Sequence, residues 1–532
     1  MKYLLKNVVC RGVFAALAMS SLTSTARANV YATDLKINGS TNDALVAPGQ
    51  ALSLSYILNE PATAGVTIKV LSGVTAIRTI TIAGGNPGTA RGLNTATWDG
   101  KSDSGSNPTA GTYGFSITAG SAGYSVWTQT TTDTNAGNLA WLPWGLAVNQ
   151  NTNSFYYGRV FVANSYPGPT TNTFDLLGFQ KLNADASPAD EGIFSDGGYP
   201  WAGNFSPFRV RVGADDRFYA EDWSGNGVVM SWDQEISTNS ISYVMRDDNN
   251  PGGTFSGFEV SGSGASRKLW MTDNDQGGLG FGVNVWNVQT DGTVTNGNVG
   301  VSAVPIAAAN GLEDSAYDIA LDRSGRIYVV CWPSVSTQYK VMRFPAYAGQ
   351  PLTNADWRVD NTSAPGNEYA LAVNPAGTYV AVALASGGAV EVLDAGTGTN
   401  VTTVSVNGNP HKAVAWDNVG NLYSASDDPV GESSWQAWSP PGTNAATTFG
   451  LERILIGAGS SPQITGIVPS GTNFVITFTG PASDPASAYT LLSGALVSGV
   501  TNVAPATITG TNGVYQATVP ASGPVQFYRV RR

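Results

Sequence analysis

Histidine and cysteine are almost missing from this chain. One histidine, His411, and two cysteines stand among 532 residues. A single histidine excludes a His-based zinc site and a histidine pair. Long apolar runs are also missing. The stretch "GVFAALAMSSL" is too short to span a bilayer. It follows Lys2, Lys6 and Arg11 and precedes "TARAN", which sets Ala26 and Ala28 at the small-residue positions of a cleavage site. Residues 1–28 therefore read as a secretory signal peptide, with a retained anchor as the alternative. Cys10 lies ahead of the apolar run, unlike a lipoprotein acceptor. Cleavage leaves Cys331 alone, so no intramolecular disulfide can form despite an oxidising destination. Cys331 sits in "IYVVCWP" and is expected to be an inert buried thiol, because a nucleophile would need a nearby base. No transmembrane segment is expected. The mature chain is expected to be secreted or at the cell surface, with the periplasm as a further compartment.

Charge is scarce as well, at 12% of residues. Removing the four basic residues of the leader leaves 23 basic against 38 acidic residues, a balance of −15. Such a surface repels phosphate backbones, which excludes nucleic acid as a partner. Residues that favour helix are few, whereas glycine reaches 63 and threonine, serine and asparagine abound. That composition suits strands and tight turns. With 42% hydrophobic residues the chain is not disordered. Its length suggests about three domains. The fold class is therefore all-β.

Residues 29–137 hold alternating strands such as "LSLSYIL", "GVTIKVL" and "TAIRTITIA". They close with "TWDGKSDSGSNPTAGTYGFSITA". Trp98, Asp99, Gly100, Asp103, Gly105, Gly111 and Tyr113 give this region a resemblance to the immunoglobulin-like domain of the bacterial flagellar hook-capping family. The resemblance implies a small β-sandwich and says little about function. Asp99 and Asp103 are candidates for turn capping or for calcium.

The middle region repeats itself. "WGLAVNQNTNSFYYGRVFVAN", "FRVRVGADDRFYAED", "SGFEVSGSGASRKLWMTD", "YDIALDRSGRIYVV", "YALAVNPAGTYVAVA" and "KAVAWDNVGNLYSAS" are each an apolar strand, a polar turn and a second strand. Their anchors Val148, Val212, Val260, Leu321, Val373 and Trp416 are spaced 64, 48, 61, 52 and 43 residues apart. One hairpin cannot bury both faces, so the copies must pack on one another. The spacing suits four-stranded blades of a β-propeller, and the absence of intervening helices disfavours a βαβ barrel. The copies resemble the NHL and related propellers, whose blade core ends its second strand with an aspartate. Here Asn164, Asp222, Asp273, Cys331, Ala383 and Ser426 fill that position. The resemblance covers residues 138–458 and implies six or seven blades. A seventh blade would lie in 165–205, in 275–310 or after Trp435.

From Ser461 onward, "QITGIVPSGTNFVITFTG", "AYTLLSG" and "GVYQATVPASGPVQFYRVRR" read as a second small sandwich over 461–532. "SDPASAY" and "QFYRVRR" resemble the fibronectin-like tail modules of bacterial exported proteins. "LIGAGSSP" reads as a linker.

Functional candidates follow from the propeller. The residues just before the inner strands are Trp144, Phe208, Ser256, Tyr317, Tyr369 and Lys412. Loops after the second strands add Glu221, Asp222 and Asp273 at the same end, with Asp275, Asp427 and Asp428. An aromatic ring around the axis with acidic groups outside it is expected. Aromatic faces beside carboxylates suit sugar rings and cations. The structural reading is that the aromatics wedge between blades and the aspartates cap turns. His411 could stand at the axial mouth as a lone general base near Glu368, or be a satisfied loop residue. Propeller lyases such as the streptogramin lyases use more than one histidine, which this chain cannot supply. Glu221 with Asp222, and Glu313 with Asp314, are adjacent and so point to opposite faces of a strand. "TDNDQGG" and "DDNNPGG" leave a structural calcium open, and no other cofactor is expected. "GGLGFG" lacks the following helix that a phosphate cradle needs.

Two function classes emerge. One is an exported, non-catalytic recognition protein that binds extracellular glycan or a surface protein on one propeller face. The other is a secreted lyase or hydrolase of carbohydrate that uses carboxylates on that face. A purely structural scaffold is a third.

Overall fold

The computed structural model describes residues 29–202, 205–223, 228–246, 255–273, 282–294, 301–305, 316–331, 339–360, 368–384, 388–405, 409–427, 433–456, 462–480, 485–494, 500, 502–511, 514–521 and 527–531. Residues 1–28, Asp275, Glu313, Asp314 and Asp428 lie outside the described residues, as do most of "TDNDQGG", "DDNNPGG" and "GGLGFG". The described chain is all-β, with short 3₁₀ turns between strands. Among the described residues no helix is long and apolar enough to cross a membrane. Two compact units form. The first takes residues up to Thr33, Leu58–Ala64 and Gly120–Ala446; the second takes Asp34–Ile57, Gly65–Ala119 and Thr447–Arg532.

The first unit is a six-bladed propeller. Its inner strands are Pro143–Val148, Val210–Val212, Phe255–Ser261, Ala316–Leu321, Glu368–Val373 and His411–Trp416. The first five each open a four-stranded antiparallel sheet, and His411–Trp416 opens a five-stranded one, in which Leu139–Ala140 also pairs with Ser433–Ser439. The six repeated hairpins of the sequence are the first two strands of these sheets. Segments that could have hidden a seventh blade supply outer strands instead. Gly178–Leu182 and Phe194–Ser195 complete blade 1, and Gly282–Asn287 and Val301–Pro305 complete blade 3. Blade 6 borrows its fourth strand from ahead of the ring: Thr128–Gln129 pairs with Ser433–Ser439, Gln129 opposite Trp438. The inner strands of blades 6 and 1 pack together, so the ring closes.

Inner strands are small and apolar because both faces are covered. All six residues of "PWGLAV" and of "HKAVAW" are buried. The core is divided into six clusters; five lie between consecutive blades, and the sixth joins blades 4 and 5 to Trp144 and Phe208 at the hub. Ala147 and Phe161 meet Val210 and Phe218, for example, and Ala370 and Ala381 meet Val414 and Trp416. One device recurs at the turn after the inner strand. The Asp417 carboxylate accepts the backbone N–H of Val419, Gly420 and Asn421, and Asp322 accepts those of Ser324 and Arg326. Asn374 and Asn149 serve the same way in blades 5 and 1. Asx side chains satisfy turn N–H groups at little cost, which is why they punctuate the repeat. At the far end of the second strands, register puts Leu384, not Ala383, opposite Glu368, a shift of one residue from the sequence alignment.

The second unit holds two sandwiches. In the first, a sheet ordered Ala44–Val46, Gly442–Ile456, Gly111–Tyr124, Gly65–Ser72 and Thr75–Ile82 accompanies a three-stranded sheet of Ala32–Ile37, Leu52–Leu58 and Gly92–Trp98. The strand Gly442–Ile456 falls within the 138–458 span that the sequence assigns to the propeller. It joins this sandwich instead, with Ala44–Val46 parallel to Ile454–Ile456. Trp98 is fully buried and its indole N–H donates to the Lys101 carbonyl at 2.8 Å. Asp99 accepts from the backbone of Lys101, and Asp103 from that of Thr79, so both carboxylates cap backbone. Residues 462–531 supply a four-stranded and a three-stranded sheet around Phe478, Tyr489 and Tyr515.

Candidate functional site on the propeller axis

One irregularity repeats at the start of the inner strands. In blades 1, 3, 4, 5 and 6 the register skips a residue between Pro143 and Gly145, Phe255 and Gly257, Ala316 and Asp318, Glu368 and Ala370, and His411 and Ala413. In blade 2, Phe208 donates to the Glu221 carbonyl while Glu221 donates to the Arg209 carbonyl, which sets two residues against one. The extra residues are Trp144, Phe208, Ser256, Tyr317, Tyr369 and Lys412, the six that the sequence alignment brought together. A β-bulge frees such a residue from pairing and re-aims its side chain.

Three of them meet. Trp144 and Phe208 lie 5.3 Å apart between ring centroids, and Phe208 and Tyr317 lie 6.0 Å apart edge to face. They are buried, at 6%, 1% and 7% exposure, instead of forming an open ring. The cause is Arg209, which crosses the hub beneath them. Its Nη1 donates to the carbonyls of Trp144 at 2.6 Å and Lys412 at 2.9 Å, and its guanidinium lies 4.3 Å from the Phe208 ring centroid. Asp318 anchors it from blade 4, with Nε at 3.5 Å. Asp318 also accepts from Arg211 at 2.9 Å and from the backbone of Ile319 and Leu371. One carboxylate thereby ties blades 2, 4 and 5.

The remaining sequence candidates divide. Glu221 is fully buried, and neither carboxyl oxygen has a hydrogen-bond partner among the described residues. Burial pushes it well above the usual carboxylate range, and Arg209 offsets this only in part. Asp222 accepts from the Tyr199 hydroxyl at 2.7 Å. Asp273 and Tyr369 are placed by backbone only; Asp273 pairs with Phe255 and with Gly282. His411 does not reach the axial mouth. It is fully buried beside Ser405, with Nε2 3.0 Å from the Ser405 carbonyl. Burial lowers its pKa to about 4, which keeps it neutral.

Sequence reasoning missed a rim around the buried aromatics. Phe205, Trp223 and Tyr166 are partly exposed. Phe205 stands 4.8 Å from Trp144, 5.2 Å from Trp223 and 5.3 Å from Tyr166, while Trp223 stacks on Phe208 at 5.9 Å. The Trp223 indole N–H is buried without a partner among the described residues. Phe205 holds φ at +69°, a conformation that costs a bulky residue about 1–3 kcal/mol. Trp223 directly follows Glu221 and Asp222, so the second-strand alignment could have found it by one further position. Lys412 also belongs here. Its ammonium lies 4.4 Å over the Trp144 ring and 3.9 Å from Asp427, and burial lowers its pKa to about 8. The assembly offers flat apolar faces, one amine and two partly enclosed carboxylates, a set suited to holding a ring-shaped polar ligand. At the other end of the inner strands an axial cavity of about 170 Å³ opens, with Arg211 and Glu259 paired at 3.3 Å on its wall and Val148, Val373 and Trp416 around it. Among the described residues no group of three or more His, Cys, Asp or Glu is placed to hold a metal ion.

No protein-family model matches the chain, and no curated protein is similar to it. Solved β-propellers are similar in structure. Virginiamycin B lyase from Staphylococcus aureus is 10% identical over 66% of this chain and 94% of its own, with a TM-score of 0.33. The WD40 β-propeller domain of Doa1 is 10% identical over 59% and 97%, with a TM-score of 0.35. The β-propeller domain of Cps50 (Swd1) from Myceliophteria thermophila is 9% identical over 56% and 82%, with a TM-score of 0.34.

Proposed function

We propose that this is an exported, non-catalytic recognition protein whose propeller binds extracellular glycan or a surface protein at the end of the axis where the inner strands begin. One observation carries the reading. Bulges repeat in all six blades, three of them bring Trp144, Phe208 and Tyr317, distant in sequence, together at one hub, and the partly exposed Phe205, Trp223 and Tyr166 cover it. An acid/base pair is not supported there. Asp318 is locked by three hydrogen-bond donors and an ion pair with Arg209, and the lone histidine is neutral and enclosed. The hook-capping-type and fibronectin-like sandwiches fit this reading as spacers or attachment modules at a cell surface.

A second reading, a secreted carbohydrate lyase or hydrolase, draws on Glu221, whose raised pKa suits a general acid. Screening the mature protein on a polysaccharide array, with mass spectrometry of the supernatant, separates the two. Recognition predicts retention without product, and about a tenfold weaker binding in Trp223→Ala, the worth of roughly one aromatic contact. New oligosaccharide products would support the enzyme. Binding untouched by Trp223→Ala and Tyr166→Ala would reject the axial site.

A further inference from the structure

A second cavity lies on the flank of the ring, between the outer strand of blade 5, Asn400–Val404, and blade 6. It is an open groove of about 570 Å³. Two indoles border it. Trp127 is pinned edge-on by Tyr379 at 6.3 Å and by Trp416 at 6.1 Å, and Trp438 packs on the same seam. Both rings are therefore held before any ligand arrives, which limits the entropy lost on binding. The indole N–H of Trp438 is buried and has no hydrogen-bond partner among the described residues. An orphan donor of this kind is normally satisfied by an ordered water or a ligand group. Thr402 and Thr403 add hydroxyls on the strand beside them, and Val126 and Val401 stand 65% and 47% exposed at the edge. Among the described residues no ionisable side chain lines the cavity.

We infer that this flank groove is a binding site for a neutral glycan, whose sugar rings pack on Trp127 and Trp438 while their hydroxyls meet the threonines. The uncharged lining favours neutral hexoses over uronates or sulfated sugars, because a charged ligand would be desolvated without a counter-ion. The same edge strand could pair with an extended peptide. The rigid indole pair favours the sugar, since pairing along a strand edge needs no aromatic platform. The groove shares only the ligand class with the axial site.

The test uses the full mature protein on dextran, laminarin, mannan and polygalacturonate. Trp127 and Trp438 pack into the core, so the blocking variants are Val401→Arg and Thr403→Arg, both on the exposed strand edge. Each should keep its melting temperature and lose at least tenfold in affinity for one neutral polysaccharide, while Trp223→Ala retains that affinity. Loss of binding in Trp223→Ala alone would keep the axial reading and overturn the groove. Preference for polygalacturonate, binding unchanged in both arginine variants, binding of strand-forming peptides with no glycan retained, or no retention at all would each overturn it too.

Discussion

The lone histidine offers a direct measurement of how the seam between blades 5 and 6 is packed. His411 is fully buried, and its Nε2 faces the Ser405 carbonyl at 3.0 Å, so that nitrogen carries the proton and donates. The Ser405 hydroxyl lies 3.2 Å away and is itself bonded to Gln436. Burial lowers the histidine pKa from 6.5 to about 4. Between these values the unfolded chain holds a proton that the folded chain does not. Stability from this group is therefore complete above pH 6.5 and is lost as pH falls toward 4. A difference of roughly 2.5 units at about 1.4 kcal/mol per unit comes to about 3 kcal/mol. Carboxyls raised by burial, such as Asp417 at about 7, work in the opposite direction, since their stabilising proton is gained as pH falls. The comparison must therefore be a difference. Urea unfolding of the wild type and of His411→Gln at pH 7 and pH 4.5 should show the wild type losing about 2–3 kcal/mol relative to the variant. With one imidazole in the chain, NMR of histidine-labelled protein reads the titration without assignment. A midpoint near 6.5 would refute the enclosed, neutral histidine and would reopen its role as a base.

Three further outcomes are expected. Asp318→Ala should cost about 3–5 kcal/mol in urea unfolding, because it strands Arg209 and Arg211 in the hub; Asp318→Ala combined with Arg209→Met should recover part of that loss. Gln129→Pro removes a ladder donor from the strand that closes blade 6, and calorimetry should show a lower melting temperature and a broader transition. The Cys331 thiol, 1% exposed within the seam between blades 3 and 4, should resist a thiol reagent in the native protein and react fully in denaturant.

Much of the ring could be read from the chain before folding. Stretches such as "YDIALDRSGRIYVV" carry both the apolar inner strand and the Asx turn that follows it, and those two local signals recur in register. The alignment even selected the six bulge residues, although no propensity marks a bulge; only the pairing of two strands reveals that Trp144 or Tyr317 is surplus. Other features depend on distant partners and left no local trace. Arg209 looks like any polar residue beside a strand, yet its bonds run to blades 1, 4 and 6. Thr128–Gln129 is too short to announce itself as the closing strand. Gly442–Ile456 reads as one more apolar strand, and its sequence does not say which sheet it joins. Exposure was the least legible property. An aromatic at a bulge is equally apt for a ligand or for a plug, and the guanidinium beneath Phe208 and Tyr317 decides for the plug.

The order of the N-terminal sheet has a consequence for how this polypeptide can be edited. Gly111–Tyr124, which leads toward the ring, and Gly442–Ile456, which leads away from it, are neighbours in that sheet, joined across by the Thr118 and Thr447 hydroxyls at 2.7 Å. The propeller is thus a guest spliced into a host module through a doorway one strand-spacing wide, the arrangement in which insertions are best tolerated. A short turn in place of residues 125–441 should leave the host able to fold. A fragment cut at residue 137 should not fold, because it lacks the strand that lies beyond its guest.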